Sequence, residues 1–395
     1  MSLTRRRLFQ RLVSVDHNRL NPEVVSDRGR EARVGFAEQP TPAGAKVVRI
    51  SSNENPLGPG QHVLDAIVGK FPEAGRYPFN ATQPEGTLPA AIAAQFPGAK
   101  AENVVLGAGS GEILTNAVRA FTSASKPLAT PWPSFENPNT TARKIGSAVR
   151  EVTLNDKLQV DVEKTIEASK GAGLVFFCNP NNPTATVHGK ATVADFVKRV
   201  RAASPGTIIL IDEAYHDYVT DPNYSSAVDL ALSTPNVFVT RTFSKAYGMA
   251  GLRIGYAIGH APTIKRLNDF KMPYGIGTPH IAAMLAGLNH PAHIEQERKR
   301  NTDVRAFTVK AFADMGFTAT DSQANFIFVN LKRPAAPFRD ACAAAGVLVG
   351  RDFPPYEKSH CRISIGTMAE MQRAVDVFRK VLATTTTTAS KERRL

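Results

Sequence analysis

Apolar runs and polar breaks alternate along this chain in two different periods. Continuous apolar runs at 104–106, 173–178, 207–211, 237–240 and 254–258 read as strands buried on both faces. Between them lie stretches with apolar residues at helical spacing. One such helix carries Ile113, Leu114, Ala117, Val118 and Phe121; another carries Val193, Phe196, Val197 and Val200. Ahead of these, residues 47–50 form a short strand candidate and 60–70 a helix with Val63, Leu64, Ile67 and Val68 on one face. A further helix runs through Leu88, Ile92 and Phe96. Strands alternating with helices predict an α/β fold, a doubly wound and mostly parallel sheet.

Beyond about residue 279 the pattern changes. Helices are predicted over 281–288, 293–315 and 336–345, with a last one carrying Met371, Ala374, Val375, Val377, Phe378 and Val381. Residues 325–331 alternate like a half-buried strand, and 346–349 and 362–365 are short strands. This order suggests a smaller α+β domain. The boundaries read as an arm over 1–45, the N-terminal part of the small domain over 46–75, a large domain over 76–285, the rest of the small domain over 286–384, and a low-complexity tail, expected to be disordered, over 385–395.

Polar residues gather where the buried strands end, and there the chemistry begins. Residues 104–106 run into Gly107-Ala108-Gly109-Ser110-Gly111-Glu112 at the start of a helix. A glycine turn feeding a helix N-terminus presents free N–H groups and the positive end of the helix dipole to an anion. A dinucleotide fingerprint would place its third glycine at Glu112, where an acid repels a pyrophosphate. The turn therefore reads as a single-phosphate site or as a plain tight turn. The next strand ends carry Asn179 to Thr184, then Asp212-Glu213-Ala214-Tyr215, then Arg241 to Tyr256 with Thr242, Ser244, Lys245 and Arg253. A lysine beside two hydroxyls and an arginine suits an aldehyde that bears a phosphate. Taken alone, Lys245 reads first as a solvated surface lysine. Phe135, in the proline-rich loop 131–138, reads as core filling or as a platform for a flat ring.

Composition narrows these readings. In 395 residues, 43% apolar and 21% charged content is that of an ordinary globular protein. No apolar run approaches the roughly 20 residues of a membrane helix. The net charge of +13 is concentrated partly at the ends, in Arg5, Arg6, Arg7, Arg11, Lys391, Arg393 and Arg394. No basic-aromatic repeat accompanies it, so small anions rather than nucleic acid are the expected partners. Cys178, Cys342 and Cys361 are widely spaced, and the histidines form no HExxH or HxxxH pattern, so neither disulfide nor metal is expected. Arg6-Arg7-Leu8-Phe9 resembles a twin-arginine export signature, but polar residues follow where an apolar stretch is needed, so a cytoplasmic location is expected.

The motifs, in order, are N-E-N-P from Asn53, R-Y-P from Arg76, the Gly-Ser-Gly-Glu turn, N-P-N-N-P-T from Asn179, D-E-A-Y from Asp212, T-x-S-K with an arginine eight residues later, and R-I-S-I-G-T from Arg362. This series resembles the class I/II pyridoxal-5′-phosphate (PLP)-dependent aminotransferases of the aspartate aminotransferase fold, most closely the histidinol-phosphate aminotransferase branch. The resemblance implies a type I PLP-transferase fold with a seven-stranded sheet, and a homodimer with shared sites. It implies that Lys245 joins the cofactor's aldehyde and then shuttles a proton. Asp212 would face the pyridine nitrogen, and Asn182 and Tyr215 the ring oxygen. Phe135 would stack on the ring. Gly109, Ser110, Gly111, Thr242, Ser244 and Arg253 would hold the phosphate, with Tyr77 reaching over from the neighbouring subunit. Arg362 would clamp the substrate carboxylate, and Arg351 and Asn53 would line the substrate side. The substrates implied are 2-oxoglutarate and an amino acid or phosphorylated amino compound, with histidinol phosphate foremost. Aromatic or specialised amino acids, decarboxylation of a phosphorylated amino acid, and a PLP-binding regulator are the alternatives. Two departures stand out: Ala185 replaces the glycine usual after N-N-P-T, and Gly111 stands where an acid is usual.

Overall fold

The computed structural model describes residues 47–78 and 86–392, with side chains as far as residue 383. The basic arm with its twin-arginine pair, and residues 393–395, lie outside the described residues. Twelve strands are numbered here in chain order. They are β1 (Val48–Arg49), β2 (Val104–Gly107), β3 (Leu128–Trp132), β4 (Val149–Thr153), β5 (Leu174–Cys178), β6 (Ile208–Asp212), β7 (Val237–Thr242), β8 (Gly255–Gly259), β9 (Thr318–Ala319), β10 (Phe326–Asn330), β11 (Val347–Leu348) and β12 (His360–Ser364).

Seven of them form one sheet in the order β2-β8-β7-β6-β5-β3-β4. Neighbours are parallel from β7 through β4, and β8 is antiparallel to both β7 and β2. Every strand but β8 therefore points the same way. The strand period of two divides the buried side chains between the faces. In β5, Leu174, Phe176 and Cys178 pack in one core and Val175 and Phe177 in the other. In β6, Ile208 and Leu210 oppose Ile209 and Ile211 in the same way. The helices Ser110–Phe121 and Lys190–Ala203 cover opposite faces through Leu114 and Val118 on one side and Phe196 and Val200 on the other. Each such fully buried aliphatic or aromatic side chain contributes about 1.5–3 kcal/mol relative to exposure.

A third core belongs to the antiparallel sheet β12-β10-β9, the parallel pair β1-β11 and three helices, Pro291–Asp314, Ala335–Ala344 and Met368–Glu392. The pairing of β1 with β11 ties the start of the described chain to residues near its end. Three strands escaped the sequence reading, one of them the two-residue β9. β3 contains Pro131 and small residues, and β4 is an edge strand with exposed polar side chains. The last helix continues through the threonine tract that was expected to be disordered, as far as Glu392. Once its earlier turns are anchored on the core by Met371, Phe378 and Leu382, each further residue extends an existing helix instead of nucleating one.

The two acids of D-E-A-Y part company at the end of β6. The Glu213 carboxylate turns into the body of the protein. It accepts from Arg241 Nη2 (2.9 Å) and Nε (3.1 Å), from Ser226 Oγ (2.7 Å) and from the N–H of Ala227 (2.6 Å). Its side chain is 1% exposed and that of Arg241 14%, so removing one partner strands the other's charge in the interior. Glu213→Ala is expected to cost about 3–5 kcal/mol in urea unfolding. A loss below about 1 kcal/mol, the range of a surface change, would contradict this reading.

Candidate active site

Because all strands but β8 run together, the C-terminal ends of β2, β3, β5, β6 and β7 meet at one edge of the sheet, and β8 starts there. Gly255 sits in register with Gly107 on one side and Thr242 on the other. Asp212 is the last residue of β6 and Thr242 of β7, while Asn182 and Phe135 follow β5 and β3.

The phosphate-type turn is built on close approach. Gly109 has φ 79°, and a Cβ there would lie 2.2 Å from Arg253 Nη2. The guanidinium thus lies against the turn, where only glycine fits. Arg253 itself adopts a left-handed conformation (φ 51°). Its Nη1 donates to Ser244 Oγ (3.3 Å) and to the Ala250 carbonyl (2.9 Å). Thr242 Oγ1 donates to Ser244 Oγ (2.9 Å) and accepts the Ser244 N–H (3.1 Å). Ser110 opens the helix Ser110–Phe121 directly after Gly109, and a Cβ at Gly111 would meet open space. Two hydroxyls, a guanidinium and a helix N-terminus so close together suit a phosphate. Glu112, the acid that speaks against a dinucleotide fingerprint, clamps the turn. Its carboxylate accepts the Ala108 N–H (2.6 Å) and the Met272 N–H (3.0 Å).

Lys245 lies three residues beyond β7, in a turn pressed beneath the loop after β1. A Cβ at Gly248 (φ 70°) would be 2.1 Å from the Gly58 carbonyl oxygen, and Asn55 Nδ2 donates to the Ala246 carbonyl (3.0 Å). Lys245 Nζ donates to the Ser52 carbonyl (3.2 Å) and lies 5.8 Å from the centre of the Tyr215 ring. Desolvation, reinforced by the charges of Arg362 and Arg253, pulls its pKa down to about 8.

Asp212 is buried, and burial raises its pKa to about 6. Thr240 Oγ1 donates to its Oδ1 (2.9 Å), and that bond with the Ala214 N–H opposes the rise. A cationic partner would complete its ionisation at neutral pH. The Tyr215 ring stands edge-on to Phe326, 5.0 Å between centres. Its hydroxyl accepts from Asn53 Nδ2 (3.1 Å), so the phenolic proton is left to donate elsewhere. Asn53 was expected on the substrate side. Its polar atoms are committed within the protein: Ser364 Oγ donates to its Oδ1 (2.8 Å) and accepts its N–H (2.8 Å), and Asn325 Nδ2 donates to its carbonyl (3.0 Å).

Arg362 emerges from β12 and reaches the large sheet's edge. Nη1 donates to Asn182 Oδ1 (2.8 Å) and Nη2 to the Ser51 carbonyl (2.7 Å). Nε is buried with no partner among the described residues. Burial lowers the arginine's pKa to about 10. With Oδ1 of Asn182 committed to Arg362, its amide N–H groups remain for another acceptor. Phe135 is half-buried against the core beneath β3. Arg351 pairs with Glu136 and lies 4.3 Å from the centre of the Phe353 ring. Tyr77 stands apart from this group: it is 64% exposed, its ring 5.4 Å from that of Tyr274. Ala185 has φ 61°, a strained conformation for alanine, and its methyl is buried with Tyr215 and Phe326. Thr240, Ser364, Ser52 and Glu136 were not singled out from the sequence. Thr240 and Ser364 lay inside apolar strand patterns, where only the pairing register reveals which way they face.

A lysine of lowered pKa, a buried carboxylate, donors left free on Asn182 and Tyr215 and a phosphate cradle fit PLP. The site is thus that of a PLP-dependent aminotransferase of type I fold. The chain belongs to the family "aminotransferase class I and II", whose model matches residues 45–378. It is 31% identical to the histidinol-phosphate aminotransferase of Moorella thermoacetica, over 85% of this chain and 86% of that protein. It is 33% identical to the aromatic amino acid aminotransferase of Nocardia farcinica, over 81% and 87%. The crystal structure of histidinol-phosphate aminotransferase from Sinorhizobium meliloti in complex with pyridoxal-5′-phosphate matches with a TM-score of 0.79 at 26% identity, over 86% of this chain and 92% of that one.

The pKa of Lys245 carries a direct consequence. Only the neutral amine reacts with an aldehyde, so uptake of PLP by the apoprotein should quicken as pH rises and reach half its plateau rate near pH 8. The growth of the cofactor's absorbance band measures this. A midpoint in the ordinary lysine range, near 10.5, would show that desolvation does not act as described.

Proposed function

We propose that this aminotransferase moves an amino group between 2-oxoglutarate and an L-amino donor, with histidinol phosphate as the donor. The observation that carries the reading is the buried, unpartnered Nε of Arg362 with a second guanidinium, Arg351, nearby: the two lie 4.7 and 4.3 Å from the centre of one ring, Phe353. A buried donor without a partner is costly and marks where a ligand oxygen belongs. Two neighbouring guanidinium groups suit a phosphate, and Arg362 alone suits the carboxylate of glutamate. Relatives named for histidinol phosphate at about this identity support the choice.

When bound, PLP supplies an electron sink for the carbanion formed at the donor's α-carbon. The chain's residues do the rest. Asp212 would hold the pyridine nitrogen protonated. The phenolic proton of Tyr215 and the amide of Asn182 go to the ring oxygen, while Asn53 and Arg362 fix their orientation. Ser110, Thr242, Ser244 and Arg253 would anchor the phosphate, with Gly109 and Gly111 supplying the turn, and Phe135 would lie against the ring. Lys245, whose neutral form burial favours, would take the proton from the donor's α-carbon and return it on the other side of the transfer. The homodimer belongs to the same proposal. Leu64, Val68 and Phe71 recur at helical spacing and are exposed, as are Tyr77, Met272 and Tyr274, and a second subunit would cover them and bring Tyr77 to its partner's site.

A half-reaction screen tests the donor. Histidinol phosphate should convert the yellow holoenzyme to its amine form faster than phenylalanine does. Lys245→Ala should slow that conversion by roughly 10²–10⁴-fold. Conversion by phenylalanine with none by histidinol phosphate would replace the donor. A protein that takes up no PLP would remove the whole reading.

A further inference from the structure

Arg351 is not an idle cation awaiting a substrate. Its Nη2 is paired with Glu136 Oε1, its Nη1 donates to the Asp352 carbonyl (3.0 Å), and its guanidinium rests on the Phe353 ring. The nearer acid in sequence, Asp352, is engaged elsewhere, by Arg339 Nη1 at 2.5 Å. The counter-ion therefore comes from the other side of the site. Glu136 directly follows Phe135 in the loop after β3. Its backbone carbonyl begins the helix Asn137–Lys144, accepting the Thr140 N–H (2.8 Å), but its side chain makes no cap to that helix. The carboxylate is turned to Arg351 instead, and both groups act through space on Arg362. The pair stays reachable, with side-chain exposures of 36% for Arg351 and 24% for Glu136.

We propose that Glu136 is a specificity-determining residue, a built-in anion that occupies Arg351 in place of the substrate's phosphate. A phosphorylated donor must displace this carboxylate or sit against it, and either costs binding that a donor with a smaller carboxylate in place of the phosphate, held by Arg362 alone, does not lose. Glu136 thereby narrows the preference between phosphorylated and aromatic donors on one scaffold. Its action runs through Arg351: without that arginine the carboxylate has no cation to withhold. This inference rests on the aminotransferase reading of the site, and it holds whichever of the two donors is faster in the wild type.

The test uses the holoenzyme with Glu136→Gln, Arg351→Ala and the double variant, each checked for an intact cofactor band and thermal transition. Single-turnover half-reactions with histidinol phosphate and phenylalanine give the ratio of their specificity constants. Glu136→Gln should raise that ratio toward the phosphate donor by about tenfold or more, the double variant should match Arg351→Ala, and glutamine should leave phenylalanine nearly unaffected. Calorimetric titration of the holoenzymes with inorganic phosphate at fixed ionic strength should show tighter binding to Glu136→Gln. A ratio that is unchanged or falls, a gain that survives loss of Arg351, or unaltered phosphate binding would overturn the proposal. Failure of every donor alongside tightened phosphate binding would instead reject the donor reading and leave the role of Glu136 standing.

Discussion

A positive charge held out of water organises this site. The Arg362 guanidinium is buried, and a charge there persists only if its hydrogens find acceptors. Asn182 and Ser51 supply two, one from the large sheet's edge and one from the loop after β1. Arg362 itself comes from the small sheet, so one side chain ties three separate parts of the chain together. Its field also depresses Lys245. The cation proposed to orient a substrate anion thus helps to keep the Lys245 amine neutral.

Much of this arrangement was legible in the sequence, for a physical reason. Strands buried on both faces must be apolar, so polar residues can gather only where those strands stop. Gly107 to Glu112, Asn179 to Thr184, Asp212 to Tyr215 and Thr242 to Arg253 are such stops, and one shared strand direction brings them together. What the sequence could not convey is pairing across long separations. Asn53 was assigned to the substrate side by resemblance alone, with no sign in its loop of what it bonds. Its partner Ser364 lies 311 residues away, and only the β1–β11 and β10–β12 pairings make them neighbours. β4 was missed because an edge strand has too little apolar surface to announce itself.

The motif residues also divide in a way that letters alone conceal. Asp212 and Glu213 are adjacent acids in one motif. Side chains alternate at a strand's end, so one faces the site and the other is swallowed by Arg241, Ser226 and Ala227. Ala185 shows the converse, a departure that the structure absorbs. The left-handed conformation there favours glycine and costs alanine about 1–2 kcal/mol. Its methyl, buried with Ala214, Tyr215, Ala324 and Phe326, recovers part of that through packing.

These features bear on why cofactor and donor are specified so unequally. The groups suited to PLP stand on strand ends or in turns locked by close approach, such as Gly109 against the Arg253 guanidinium and Gly248 against the Gly58 backbone. A substitution there disturbs the fold itself. Arg351 and Glu136 stand on loops from different sheets, partly exposed, and meet only through their charges. Substituting Glu136 breaks that ion pair, and substituting Arg351 removes with it a hydrogen bond to the Asp352 carbonyl and a contact with the Phe353 ring. Chemistry written into the frame is held fixed by the same forces that hold the sheet, whereas donor preference rests on a pair of charges that the frame does not need. A scaffold divided this way can hold its reaction constant while its amino donor changes.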